Sequence, residues 1–283
     1  MRHILNRIHA PLAALLLLTM TVLLLPASAQ SAERGKIEAF LQVTGFDVAL
    51  DSIAFSAGNA PSMLGLSAGS FGAEWTRLSE RVFDRQKMRV LALDILTETL
   101  QDDALNHAAD FYATDLGQRL VQAENAAHLV EEGAVKQQAG QRIISDLVRA
   151  GSDRVALYRR MGQAIDSAGA GLRSVQQIQF RFLMAASAAG IVELQLDADG
   201  LQAFLREQET EMRMALQAAN LATSAYTYQG FSDAEIQSYV EALEAPLMKQ
   251  VYELLNAVQH EITANRFEAL AYRMKDLGRG EDL

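Results

Sequence analysis

Apolar residues recur along this chain at helical spacing with few interruptions. Trp75, Leu78, Val82, Val90, Leu93, Leu96 and Leu100 share one face, which predicts a long helix over 73–99. Ala104, Leu105, Ala108, Phe111 and Tyr112 form the next stripe, in a segment opened by Asp102 and Asp103, carboxylates that favour a helix N-terminus. Upstream, residues 36–56 read as helix interrupted near Gly45, and GNAPSMLGLSAGSFG at 58–72 reads as a loop or pair of short turns whose methionine and phenylalanine either plug the core or cover a hydrophobic groove as a flap. Downstream, breaks are expected near Gly151 and over 168–171, then helices over 172–190 and 198–225. The last helix starts near Pro246, with Leu247, Val251, Leu254, Val258, Ile262, Leu270 and Met274 at or near core positions. Only Pro61 and Pro246 occur after Ala29, and short β-branched runs bounded by turns are scarce. The class is all-α.

The segment LQDDALNHAADFYATDLGQRLVQAEN at 100–125 returns at 231–256 as FSDAEIQSYVEALEAPLMKQVYELLN. One constant offset pairs Asp102 with Asp233, Leu105 with Ile236, Leu120 with Val251 and Asn125 with Asn256. Apolar meets apolar at most positions a helix would bury, so the pattern reads as a duplication. The expected architecture is a helical bundle of two similar halves, 30–150 and 151–283, packed as one body. At Thr114 the helix is expected to break and restart, Thr114 capping the amides that follow. The second copy places Ala245-Pro246 there, with proline in the first turn, where its missing N–H costs nothing. Gly117 inside a helix costs about 1 kcal/mol relative to alanine, so it is read as permitting close approach by another helix.

Composition adds a compartment. Arg2, His3, Arg7 and His9 precede the run PLAALLLLTMTVLLLP at 11–26, and Ala27-Ser28-Ala29 follows before Gln30. That is the order of a secretory signal cleaved after Ala29, and the run is short for a retained span. The chain has no cysteine, which removes disulfides, thiol catalysis, thiolate metal sites and the lipid attachment of a bacterial lipoprotein. The expectation is a periplasmic protein with no membrane insertion after cleavage. Without Arg2 and Arg7 the chain keeps 23 basic against 35 acidic side chains, a net charge of −12. No basic patch offsets it, which argues against nucleic acid as a partner.

Candidate chemistry is sparse. Asp103, His107 and Asp110 can share one helix face, and a metal-dependent hydrolase built on them is the alternative reading. His128 stands at similar spacing from Glu124, Glu131 and Glu132. Each trio is also what an acidic, solvated helix produces. Tyr112, Tyr158, Tyr226, Tyr228 and Tyr239 can line a cleft with polar tips or sit in the core. No nucleophile elbow, phosphate loop or dinucleotide fingerprint is present. No catalytic residue, metal ligand or cofactor is assigned.

Phe111-Tyr112-Ala113-Thr114-Asp115-Leu116-Gly117-Gln118 resembles the hallmark Phe-Tyr-x-Ser-Pro-x-Gly of domain-of-unknown-function family 2059, an exported bacterial family. Phe111, Tyr112 and Gly117 match, Thr114 stands for serine and Asp115 replaces the proline, which the second copy keeps as Pro246. The resemblance takes in each copy and its immediate flanks. It implies an all-helical secreted or periplasmic domain and no particular activity. Phe111, Tyr112, Thr114, Gly117 and Pro246 then read as packing positions of the family fold. The function expected is non-enzymatic: binding of a periplasmic partner protein or a small apolar ligand between helices, under the 58–72 flap.

Overall fold

The computed structural model describes residues 34–66 and 72–277. The signal expected over 1–29 lies outside the described residues, as do residues 67–71 of the glycine-rich stretch. Every regular element among the described residues is helical. Helix α1 (Arg34–Val43) ends at Gly45, whose φ of +69° is a left-handed value that favours glycine. There the chain turns into α2 (Phe46–Ser52), a 3-10 segment (Ile53–Asn59) and the short α3 (Ala60–Met63).

The long helix expected over 73–99 is two helices, α4 (Gly72–Val82) and α5 (Arg85–Thr99). The cause is Asp84. Its backbone is extended, and its carboxylate accepts from the amide of Lys87 at 2.9 Å, so it starts a new helix instead of continuing the old one. Then follow α6 (Asp102–Tyr112), α7 (Asp115–His128), α8 (Gly133–Arg149), α9 (Arg154–Ile165) and α10 (Ala170–Ala188). The single helix expected over 198–225 is also divided, into α11 (Ala198–Glu207) and α12 (Glu209–Thr227), where Gln208 adopts ψ near 0°. The chain closes with α13 (Asp233–Glu244) and α14 (Pro246–Met274).

Helix α14, 29 residues long, is the centre of packing. It meets α10, α6, α5 and α4, and buries Val251, Leu255, Val258, Ile262, Phe267 and Leu270 among them. Phe267 packs edge-on against Phe83 and Phe182, at ring separations of 5.5 and 5.3 Å. Arg181 of α10 ties that contact down by pairing with Glu261 and Glu268 of α14, at 2.8 and 2.6 Å. Helices α8 and α12 form a second pair, with Gly140 pressed against the backbone of Ala222. The described residues form one compact unit. Among the described residues, no helix is long and apolar enough to cross a membrane.

The two recurring segments fold alike at their boundaries. Helices α6 and α13 begin at the paired positions Asp102 and Asp233, and α7 and α14 at Asp115 and Pro246, which the same offset pairs. Capping differs as the residues require, by Thr114 Oγ1 accepting from Gly117 N at 3.0 Å in one and by Pro246 in the first turn in the other.

Candidate functional site

A cavity of about 300 Å³ opens between α2, α7, α9, α12 and α14. Its deep end is made by one carboxylate and four tyrosines. Glu124 comes from α7, Tyr112 from the last turn of α6, Tyr228 from the end of α12, Tyr239 from α13 and Tyr252 from α14. On α7, Leu120, Val121 and Ala127 are buried, and Glu124 occupies the same stripe, one turn after Val121 and one before Ala127. Helical periodicity thus aims a carboxylate where the fold would otherwise place an apolar side chain.

The hydroxyls converge. Tyr228 and Tyr239 both donate to Glu124 Oε1, at 2.7 and 2.8 Å. Tyr239 lies 3.0 Å from the Tyr252 hydroxyl and 3.2 Å from that of Tyr112, and Tyr112 and Tyr252 bond each other. Burial pushes the Glu124 carboxyl up to about 7, and the two tyrosyl hydrogen bonds oppose that rise only in part. Burial together with neighbouring negative charge drives Tyr112, Tyr228 and Tyr239 well above the ordinary phenol range.

The other walls are mixed. Phe46, Ala49, Ile165 and Leu255 supply apolar surface, while Asn125, His128, Lys136, Asp166, Thr223 and Asn256 supply polar groups. Lys136 Nζ donates to the carbonyl of Ala127 at 3.0 Å, at the C-terminal end of α7, and burial lowers its pKa. His128 is held below its ordinary value by burial and then by Lys136. Asp166 accepts from the amides of Ala170 and Gly171, at 2.7 and 3.1 Å, and so starts α10. Asn125 sits under Gly45, where an added Cβ would lie 2.4 Å from Asn125 Oδ1.

The residues of the Phe-Tyr-x-Thr-x-x-Gly segment build this site from one corner. Thr114 Oγ1 donates to the carbonyl of Phe111 at 2.7 Å while it accepts from Gly117. Gly117 passes so close that an added Cβ would lie 2.3 Å from Phe111 O and 2.6 Å from the Tyr112 Cα. The helix that approaches Gly117 is therefore the preceding one, α6. Phe111 stacks on Tyr239 at 5.8 Å and Tyr112 reaches the cluster. Thr114 and Pro246 are exposed, so they act on the backbone at a helix boundary and not, as expected, through side-chain packing.

Other sequence candidates fare differently. Tyr158 and Tyr226 do not join the tyrosine cluster at the cavity. His107 is half-buried on α6, with Asp103 and Asp110 exposed beside it. Among the described residues, no three His, Asp or Glu side chains come together to hold a metal ion, so the alternative site on His107 is not formed. One helix face supplies only adjacent turns, and no second element adds a ligand. Glu131 and Glu132 are exposed, whereas Glu124 and His128 face the cavity.

Residues 86–146 match the bacterial family DUF2059, described as an uncharacterized protein conserved in bacteria. The DUF2059 range takes in nearly all of α5, all of α6 and α7 and most of α8, and thereby Tyr112, Glu124, Asn125, His128 and Lys136. It contains the first recurring segment, and the second, at 231–256, lies outside it. No curated protein and no solved structure matches the chain.

Proposed function

We propose that this chain is an exported, non-enzymatic binding protein whose ligand sits in the cavity that ends at Glu124. The observation that carries the reading is a deeply placed carboxylate, bonded by two tyrosines, in a cavity of the volume small-molecule sites have. A buried carboxyl whose pKa is raised to about 7 costs stability whenever it ionises, and such groups cluster at functional sites. The polar lining favours a ligand with a polar head over the wholly apolar one expected from the sequence. Export rests on the basic start, the apolar run and Ala27-Ser28-Ala29 over 1–29, and a periplasmic ligand follows from it.

The repeat supports the same reading. Three pairs of lining residues, Glu124 and Leu255, Asn125 and Asn256, His128 and Gln259, stand at the offset that pairs Asp102 with Asp233. Helix α7 and the first half of α14 thus face one cavity with equivalent positions, as a duplicated helix pair would. Leucine at 255 is what a buried stripe requires, and glutamate at 124 is the departure.

Ligand-observed NMR with a library of small fragments tests the reading on the wild-type protein and on Thr227→Trp, which puts an indole on the cavity wall. Binding is expected in the wild type and lost in the variant. Fragments that bind both proteins equally, or neither, would overturn it.

A further inference from the structure

The hydrogen-bond arithmetic at the deep end says what the ligand must bring. Four phenols hold four protons, one each. Those of Tyr228 and Tyr239 go to Glu124 Oε1, at 2.7 and 2.8 Å. Those of Tyr112 and Tyr252 are spent within the cluster, one on the other tyrosine's hydroxyl and one on the Tyr239 oxygen, which lies 3.2 Å from Tyr112 and 3.0 Å from Tyr252. Every tyrosyl proton therefore points inward, and Oε1 is saturated. What the cluster offers the cavity is acceptor only: Glu124 Oε2, which takes no hydrogen bond from the described residues, and the spare lone pairs of Tyr228. Among the described residues no basic side chain pairs with Glu124, which is buried against the two tyrosines that bond it. Lys136, the cation on the cavity wall, spends one of its three N–H donors on the carbonyl of Ala127 and forms no ion pair with Glu124 among the described residues. An unpaired carboxylate in a poorly solvated site is costly until a cation meets it.

We propose that the deep end of the cavity takes the protonated amino group of a small organic amine, whose N–H groups donate to Glu124 Oε2 and Tyr228 Oη while its body lies along Phe46 and Leu255. An anion finds no tyrosyl donor there and meets the Glu124 charge, and a neutral alcohol supplies one proton but leaves the carboxylate charge unmet. This rests on the cavity-binding reading and adds the chemical class of the ligand.

Isothermal titration of the purified protein at pH 8 with benzylamine, benzyl alcohol and benzoate separates the two claims, because the three probes share one body and differ in the head. Benzylamine is expected to bind at least about ten-fold more tightly than benzyl alcohol, with benzoate weakest. Glu124→Gln is expected to erase that preference and leave alcohol binding in place. In the wild type, amine affinity should fall as pH drops from 8 to 5.5 and the carboxylate takes a proton, a readout that needs no variant. Equal or tighter binding of the alcohol or benzoate, or an amine preference that survives in Glu124→Gln, overturns the amine assignment and leaves the cavity reading standing. No binding of any probe in the millimolar range counts against both.

Discussion

Replacing Glu124 by glutamine should make the protein more stable at neutral and alkaline pH, and the size of the gain follows from the site. Unfolded, the carboxyl titrates near 4.5, and folded it titrates at about 7, with burial as the main cause. Between those values the folded state holds a proton that the unfolded chain has released. Stability therefore falls as pH rises through that window, and is level above it. At about 1.4 kcal/mol per pH unit the full loss is about 3 kcal/mol. Glutamine keeps the shape and offers Oε1 to Tyr228 and Tyr239 as the protonated acid does, so the two proteins should match at pH 4.5. His128 and His260, both held below the ordinary histidine value by burial, are present in both proteins and cancel in the difference. Urea denaturation at half-unit steps from pH 4.5 to 8.5 gives the comparison directly. A difference that stays constant across that range would refute the reasoning, since it would mean that Glu124 ionises at its ordinary value in the folded state.

Gly140→Ala should destabilise by about 1–3 kcal/mol, because the new methyl would lie 1.9 Å from the carbonyl oxygen of Ala222 and force α8 off α12. Gly162→Ala, with nothing within 4 Å of its added Cβ, should be neutral or stabilise α9 by up to about 1 kcal/mol, and thermal melts of the pair make the contrast. Gly117→Ala should cost a similar 1–3 kcal/mol and shift Tyr112 in the cluster, read as a loss of fragment binding at temperatures where the variant is still folded. Mass spectrometry of the protein recovered from the periplasmic fraction should show Gln30 at its N-terminus, and a chain that retains Met1 would contradict export with cleavage.

The helical class is legible in the sequence because periodic apolar residues over long stretches leave few other choices, and Gly45, Thr114 and Pro246 each announce a helix boundary by their own backbone chemistry. Asp84 and Gln208 do not. The first is a local cap set inside a continuous apolar stripe, and periodicity alone cannot show that a side chain has taken an amide from the helix. The second carries no turn residue at all, so nothing in the local sequence marks its ψ near 0°. Tyr112, Tyr228 and Tyr239 are visible as candidates, but their meeting joins α6, α12 and α13 across long stretches of chain, which no local pattern reveals. Nothing local marks Tyr252 and Glu124 as parts of one site. A signal for Glu124 is present all the same: a carboxylate in step with Leu120, Val121 and Ala127 stands where the stripe asks for leucine, which the equivalent position of the second copy supplies as Leu255. Asp103, His107 and Asp110 come together on paper because they share adjacent turns of one helix, and among the described residues no second element joins them to complete a metal site.

On the amine reading, Glu124 is a carboxylate held unpaired at the end of a cavity until a cation reaches it. Carbon-13 NMR of the glutamate side-chain carboxyls, with the Glu124 signal assigned by its loss in Glu124→Gln, follows that group alone through pH. The expected midpoint is about 7 in the free protein, moving downward when benzylamine is added. A midpoint near 4.5 that the amine leaves unchanged would contradict it.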